Sequence, residues 1–183
     1  MPLIHMVHGF VGVGKTTFSK TLERETHAVR FSPDEWMCSL FGSNPPAEMF
    51  SEYDSRIKAV IRNISEKILA AGCDVILDEG FWTKAGRDET RSWARRTGVD
   101  VRLYALQCPE NIARERALNR TKDMPQGALR IDDNALREFR ALFEPVDPGT
   151  EICTVIETGE GKAFYDEQRV KFERDFYSYG DEA

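Results

Sequence analysis

Gly9, Gly14, Lys15 and Thr16 fall in the spacing G-x-x-x-x-G-K-T across the segment GFVGVGKT, a pattern whose chemistry is the binding of oxyanions. Glycines let successive backbone N–H groups turn inward, the following helix points its positive end at the anion, and a lysine adds a full charge. The phosphates of ATP suit such a loop. Gly9, Gly12, Val13, Gly14, Lys15, Thr16 and Thr17 are therefore expected to hold the nucleotide, with Lys15 reaching the β and γ phosphates and the Thr16 hydroxyl offered to Mg²⁺. The pattern works only between a strand and a helix, so the elements around it decide its meaning.

Further along, Asp34 follows a short apolar run and is suited to accept the proton of an attacking hydroxyl and to bind that acceptor. The residues Ser32-Pro33 before it also suit a helix start, which makes Asp34 a candidate capping residue as well. Asp78 ends the apolar run DVIL, where a carboxylate commonly serves Mg²⁺, and Glu79 competes for that task. Arg116 and Arg120 are four apart and share a helix face, so both are candidates to contact phosphate and stabilise charge during transfer. Arg114 points elsewhere. The alternative is a solvated face paired with Glu110 and Glu115. Trp82, Lys84 and Arg87 lie close behind Asp78, and Trp36 follows Asp34. Trp36, Asp78, Trp82 and Arg87 are candidates to line an acceptor pocket, against a packing role for the aromatics and a surface role for Arg87. His5, His8 and His27 are assigned no catalytic role.

The elements needed to position these residues are legible in hydrophobic period. Leu3 to Val7 reads as a buried strand, Lys15 to Thr26 as a helix and Ala28 to Phe31 as a second strand. A helix from about Phe50 to Ala71 carries the stripe Val60, Ile61, Ile64, Ile68 and Leu69, and Gly72 ends it. Strands are expected at Asp74 to Leu77, Val101 to Leu106 and Ile152 to Ile156. Helices are expected at Lys84 to Arg96, from Pro109 to about Arg120, and from Asp133 to Phe143. Residues 121–132 read as a loop, making 114–143 a lid candidate, and 161–183 read as a terminal helix. Strands alternating with helices imply a parallel sheet in one domain spanning 1–183.

Composition narrows the partners. Hydrophobic residues at 41% and charged residues at 31% suit a folded globular chain. With 25 Lys plus Arg against 31 Asp plus Glu, the net charge of −6 makes nucleic acid an unfavoured partner. Cys38, Cys73, Cys108 and Cys153 form no C-x-x-C pair, so buried free thiols are expected rather than a metal site. No apolar run approaches a membrane span and the start lacks a basic leader, which leads to an expected cytoplasmic location and no membrane partner.

With GFVGVGKT, FSPDEW, VILDEGFW and RERALNR in that order, the chain resembles P-loop kinases of the AAA_33 type. Wider relatives of that type are zeta toxins, chloramphenicol phosphotransferase and the kinase domain of polynucleotide kinase. The resemblance covers roughly residues 3–156. It implies an α/β P-loop fold whose five-stranded parallel sheet has the order 2-3-1-4-5, flanked by helices and topped by a small helical lid. It also implies that Asp34 is the catalytic base and that Arg116 and Arg120 belong to the lid. The expected reaction is ATP-dependent transfer of a phosphoryl group to a hydroxyl of a small molecule such as an antibiotic, sugar or nucleoside. A polynucleotide 5′-hydroxyl kinase is the alternative, and an NTP-dependent switch is a third reading. The resemblance leaves the acceptor open.

Overall fold

A computed structural model describes residues 1–123 and 133–159, with the side chains of 120–123 and 133 outside that description. The expected terminal helix at 161–183 and most of the 121–132 loop lie outside the described residues. Five strands form one parallel sheet: β1 (Leu3–His8), β2 (Val29–Phe31), β3 (Val75–Gly80), β4 (Asp100–Gln107) and β5 (Thr154–Glu157). Their order is β2-β3-β1-β4-β5, as the resemblance implied. The chain runs from β1 to one edge, returns to β3 beside β1, then crosses to β4 on the other side, so the crevice at the carboxyl ends of β1 and β3 is where such sheets take ligands.

Ile4, Met6, Val7, Val75 and Ile76 are fully buried, which explains why β1 and β3 read as continuous apolar runs rather than alternating ones. The connecting helices are α1 (Lys15–Thr26), α2 (Pro33–Phe41), α3 (Ala47–Ala70), α4 (Lys84–Thr97), α5 (Glu110–Asp123) and α6 (Asp133–Leu142). Helix α3 turns Ile57, Ile61, Ser65 and Leu69 inward at spacings of four, whereas Val60, expected on the buried stripe, is 46% exposed. Helix α4 starts at Thr83, whose hydroxyl accepts from Gly86 N–H, and ends at Gly98 with φ 71°. Helix α2 begins where Ser32-Pro33 suited a helix start. Ser32 caps it, Pro33 occupies its first turn, and Asp34 and Glu35 complement its dipole.

One core layer gathers Met6, Phe31, Met37, Ile61, Leu77 and Trp93, and the other gathers Val7, Leu22, Ile76, Tyr104, Leu106 and Ile156. The four cysteines are free, but none is fully buried: Cys73 is exposed and Cys38, Cys108 and Cys153 are half-buried. Among the described residues no helix is long and apolar enough to cross a membrane.

Candidate active site

The phosphate loop is held from three sides. Gly9 N–H donates to Gly80 O at 3.2 Å, fastening the loop to the end of β3. Gly12, with φ 80°, passes so close to α5 that a Cβ there would stand 2.0 Å from Ala113 O. Only glycine satisfies both the left-handed backbone and this approach. From the far side, the buried Thr158 hydroxyl lies 2.6 Å from Val13 O and 3.0 Å from Gln107 O, so the chain after β5 straps the loop down. Gly14, with φ 96°, begins α1 without a side-chain cap, which leaves the first-turn N–H groups of α1 to an anionic ligand. Lys15 Nζ donates to Phe10 O at 2.9 Å.

A cleft of about 930 Å³ brings Gly12, Lys15, Thr16, Asp34, Asp78 and Arg116 together. Alternation along β3 gives its two acids, Asp78 and Glu79, different partners along that cleft. Asp78 meets Arg30 NH1 at 3.0 Å, and its carboxyl, only 2% exposed, is pushed up by burial against the opposing charges of Lys15 and Arg30. Glu79 lies 3.6 Å from Lys58 Nζ and is likewise pushed up by burial. Asp78, rather than Glu79, therefore shares its surroundings with Lys15. Arg30 is a site residue that sequence reasoning missed. It also donates to Glu35 at 2.6 Å and approaches Glu23 at 3.6 Å, so one guanidinium ties β2, α1 and α2 to the acid at the end of β3.

Asp34 is exposed within the first turn of α2 and faces the cleft, while Ser32 Oγ, 3.4 Å from Glu35 N, supplies the side-chain cap. The capping role thus belongs to Ser32. Arg116 lines the cleft and donates to Thr158 O at 2.9 Å, so the residue that straps the phosphate loop also steadies this arginine. The Arg120 side chain lies outside the described residues. Trp82 lines the cleft between Phe10 and Phe139, at ring distances of 6.1 and 5.0 Å.

Two expected acceptor ligands are corrected. Trp36 packs edge-on against Phe31 at 5.9 Å on the core side of α2 and does not line the cleft. Arg87 is 1% exposed and fully engaged: Nε and NH2 donate to Glu151 at 3.0 and 2.6 Å, and NH1 donates to Phe81 O and Glu144 O. Its work is to hold the turn after β3, where Phe81 adopts φ 46°, a left-handed conformation costly for a bulky residue. His8 Nδ1 lies 3.0 Å from the same Phe81 carbonyl; burial lowers the His8 pKa to about 4, so near neutral pH the uncharged ring donates there. Neither histidine of β1 reaches the cleft lining.

The Thr16 hydroxyl and the Asp78 carboxylate are hard oxygen donors facing one cleft, a set that fits Mg²⁺. Among the described residues no group of three His, Cys, Asp or Glu converges as a metal site, so the nucleotide's phosphates and water would complete the coordination.

No curated protein matches the chain. Among solved structures it is similar to a protein from Chloroflexus aurantiacus classed as a kinase, with a TM-score of 0.69 at 18% identity over 86% of this chain and 89% of that one. It is also similar to Chaetomium thermophilum Kti12 in complex with ADP-AlF3, with a TM-score of 0.69 at 17% identity over 94% and 98%. A gluconokinase from Sinorhizobium meliloti gives a TM-score of 0.58 at 15% identity over 97% and 96%. At such identities the likenesses show a P-loop, kinase-like fold. The family model AAA_33, described as an AAA domain, matches residues 4–146, and the chain belongs to that family.

Proposed function

We propose that the chain is an ATP-dependent phosphotransferase that moves the γ-phosphoryl group to a hydroxyl of a small molecule. The observation that carries this reading is the facing of Asp34 and the phosphate loop across one cleft. A loop that only bound nucleotide would need no exposed carboxylate opposite Lys15. The kinase-designated neighbours and the ADP-AlF3 bound to Kti12 support nucleotide use here.

In the proposed mechanism, N–H groups from Gly12 to Thr17 and the Lys15 ammonium hold the β and γ phosphates in line with the acceptor. The acceptor hydroxyl gives its proton to Asp34 as its oxygen forms a bond to the γ phosphorus. The bond from that phosphorus to the β–γ bridging oxygen breaks, and ADP leaves with the electron pair. Arg116, and in this reading Arg120 four residues further along the sequence, neutralises charge on the transferring group. Thr16 and Asp78 would hold Mg²⁺, which when bound neutralises phosphate charge. Arg30 keeps the Asp78 carboxylate oriented. The reaction would run in the cytoplasm, where ATP is supplied.

A screen with γ-labelled ATP across hydroxylated antibiotics, nucleosides, sugars and short oligonucleotides tests the reading. Label on a small molecule is expected. Label confined to oligonucleotide 5′ ends would establish the polynucleotide kinase instead, and label released only as free phosphate would point to the switch.

A further inference from the structure

Past Asp34 the cleft continues between α3 and α4, where no residue has a part in the mechanism above. Asp54, Lys58 and Arg62 project into it from α3 at spacings of four, Glu79 enters from β3, and Glu89 from α4. Both cations are already engaged. Lys58 Nζ stands 2.9 Å from Asp54 and 3.6 Å from Glu79, while Arg62 donates to Glu89 at 2.7 Å and lies over the Trp93 ring at 5.3 Å. Burial disfavours the charged form of Glu79, so the charge at this wall rests on Asp34, Asp54 and Glu89 against Lys58 and Arg62, and an entering molecule meets a surplus of negative charge. Nucleotide phosphates on the loop side would deepen it. Lys15 and Arg116, which could offset the surplus, stand at the phosphate end of the cleft. Phe50 and Phe81 add apolar faces of the kind on which the C–H side of a polyol ring can lie.

We infer that the acceptor is a polyol carrying a protonated amine, such as an amino sugar or aminocyclitol, and that Asp54 and Glu89 select for it. The inference rests on the phosphotransferase reading and narrows its substrate class. Like charge at this wall disfavours a carboxylate-bearing or phosphorylated acceptor, and opposite charge favours the amine. Lys58, paired with Asp54 and Glu79, and Arg62, paired with Glu89, set the spacing of the acids' remaining oxygens for hydroxyl hydrogen bonds.

The test uses the full chain with Mg-ATP and acceptors matched in skeleton: glucosamine, glucose and gluconate, and in parallel streptamine and inositol. The expected order of kcat/KM is amine, then alcohol, then acid, with about tenfold or more between the first and last. Asp54→Asn and, separately, Glu89→Gln lie on helix surfaces that tolerate the change, and each should compress the amine-to-alcohol ratio toward one. A merely structural role for these acids would lower all acceptors alike and keep the ratio. Transfer that favours alcohol or acid, or a ratio unmoved in both variants, overturns the inference while the phosphotransferase reading stands. Absence of transfer to all five, with ATP bound, overturns the inference, and only absence across the wider γ-labelled screen as well overturns the phosphotransferase reading.

Discussion

Replacing Arg87 with Met removes a buried guanidinium of similar length and tests whether the turn after β3 rests on it. Arg87 makes four hydrogen bonds, two of them to Glu151, and both partners are under a tenth exposed. Removing one member of such a pair commonly costs about 3–5 kcal/mol, because the other charge stays buried without its partner. Arg91 NH1 remains 2.8 Å from Glu151, which places the expected loss near the lower end, about 3 kcal/mol. For a domain of this size that corresponds to a fall in Tm of roughly 6–12 °C. The acid dependence gives an independent check. Hydrogen bonds from Arg87, more than the opposing effect of burial, hold the Glu151 pKa down from 4.5 to about 2.

A carboxyl depressed in the folded state contributes stability that is complete above its unfolded pKa and is lost as pH falls through its folded one. The wild type should therefore lose this contribution between about pH 4.5 and pH 2, at most roughly 3 kcal/mol for a shift of this size. Arg87→Met, with Glu151 no longer so depressed, should lose less over the same interval, so the two stabilities converge toward acid pH. Urea denaturation of both proteins at pH 7 and pH 3 reads the difference. Equal stability at pH 7 together with a selective rise in the acceptor KM would refute the structural role and restore Arg87 as an acceptor ligand.

Two further outcomes bear on the phosphate loop. Lys15→Met should fold normally by circular dichroism yet lose most productive ATP use, because the β and γ phosphates lose their nearest ammonium; wild-type turnover would remove Lys15 from the site. Gly12→Ala should lower stability by more than about 1 kcal/mol and weaken nucleotide binding, since both the positive φ and the contact with Ala113 O oppose a methyl group. Thermal melting with and without ATP checks this, and an unchanged Tm with unchanged ATP stabilisation would contradict it.

The phosphate loop was legible because its requirements are local: glycines at fixed offsets, then a lysine, between an apolar run and a helix. The sheet order followed from strand and helix alternation only with the help of family resemblance, since periodicity does not tell which strands pair. What the sequence concealed depends on distant partners. Arg87 read as an acceptor ligand or a surface charge, and not as a buried ion-pair partner, because its counter-ion, Glu151, is 64 residues away. Arg30 meets Asp78 across 48 residues only because β2 pairs with β3 so that Phe31 faces Leu77. Thr158 reaches Val13 across 145 residues, a strap that neither segment announces. Helix α2 did leave a local sign in Ser32-Pro33, but the same two residues made Asp34 itself a candidate cap. The structure separated the two by giving the cap to Ser32.

That separation makes Asp34→Asn the most direct measurement of phosphoryl transfer from this cleft. Asn keeps the size of Asp and caps helices about as well, so the variant should melt near the wild type and bind Mg-ATP nearly as tightly. Base catalysis contributes about 10²–10⁴-fold, and the single-turnover rate of transfer from γ-labelled ATP to the acceptor should fall by that much. A folded, ATP-binding Asp34→Asn protein that transfers at the wild-type single-turnover rate would contradict the assignment of Asp34 as the base.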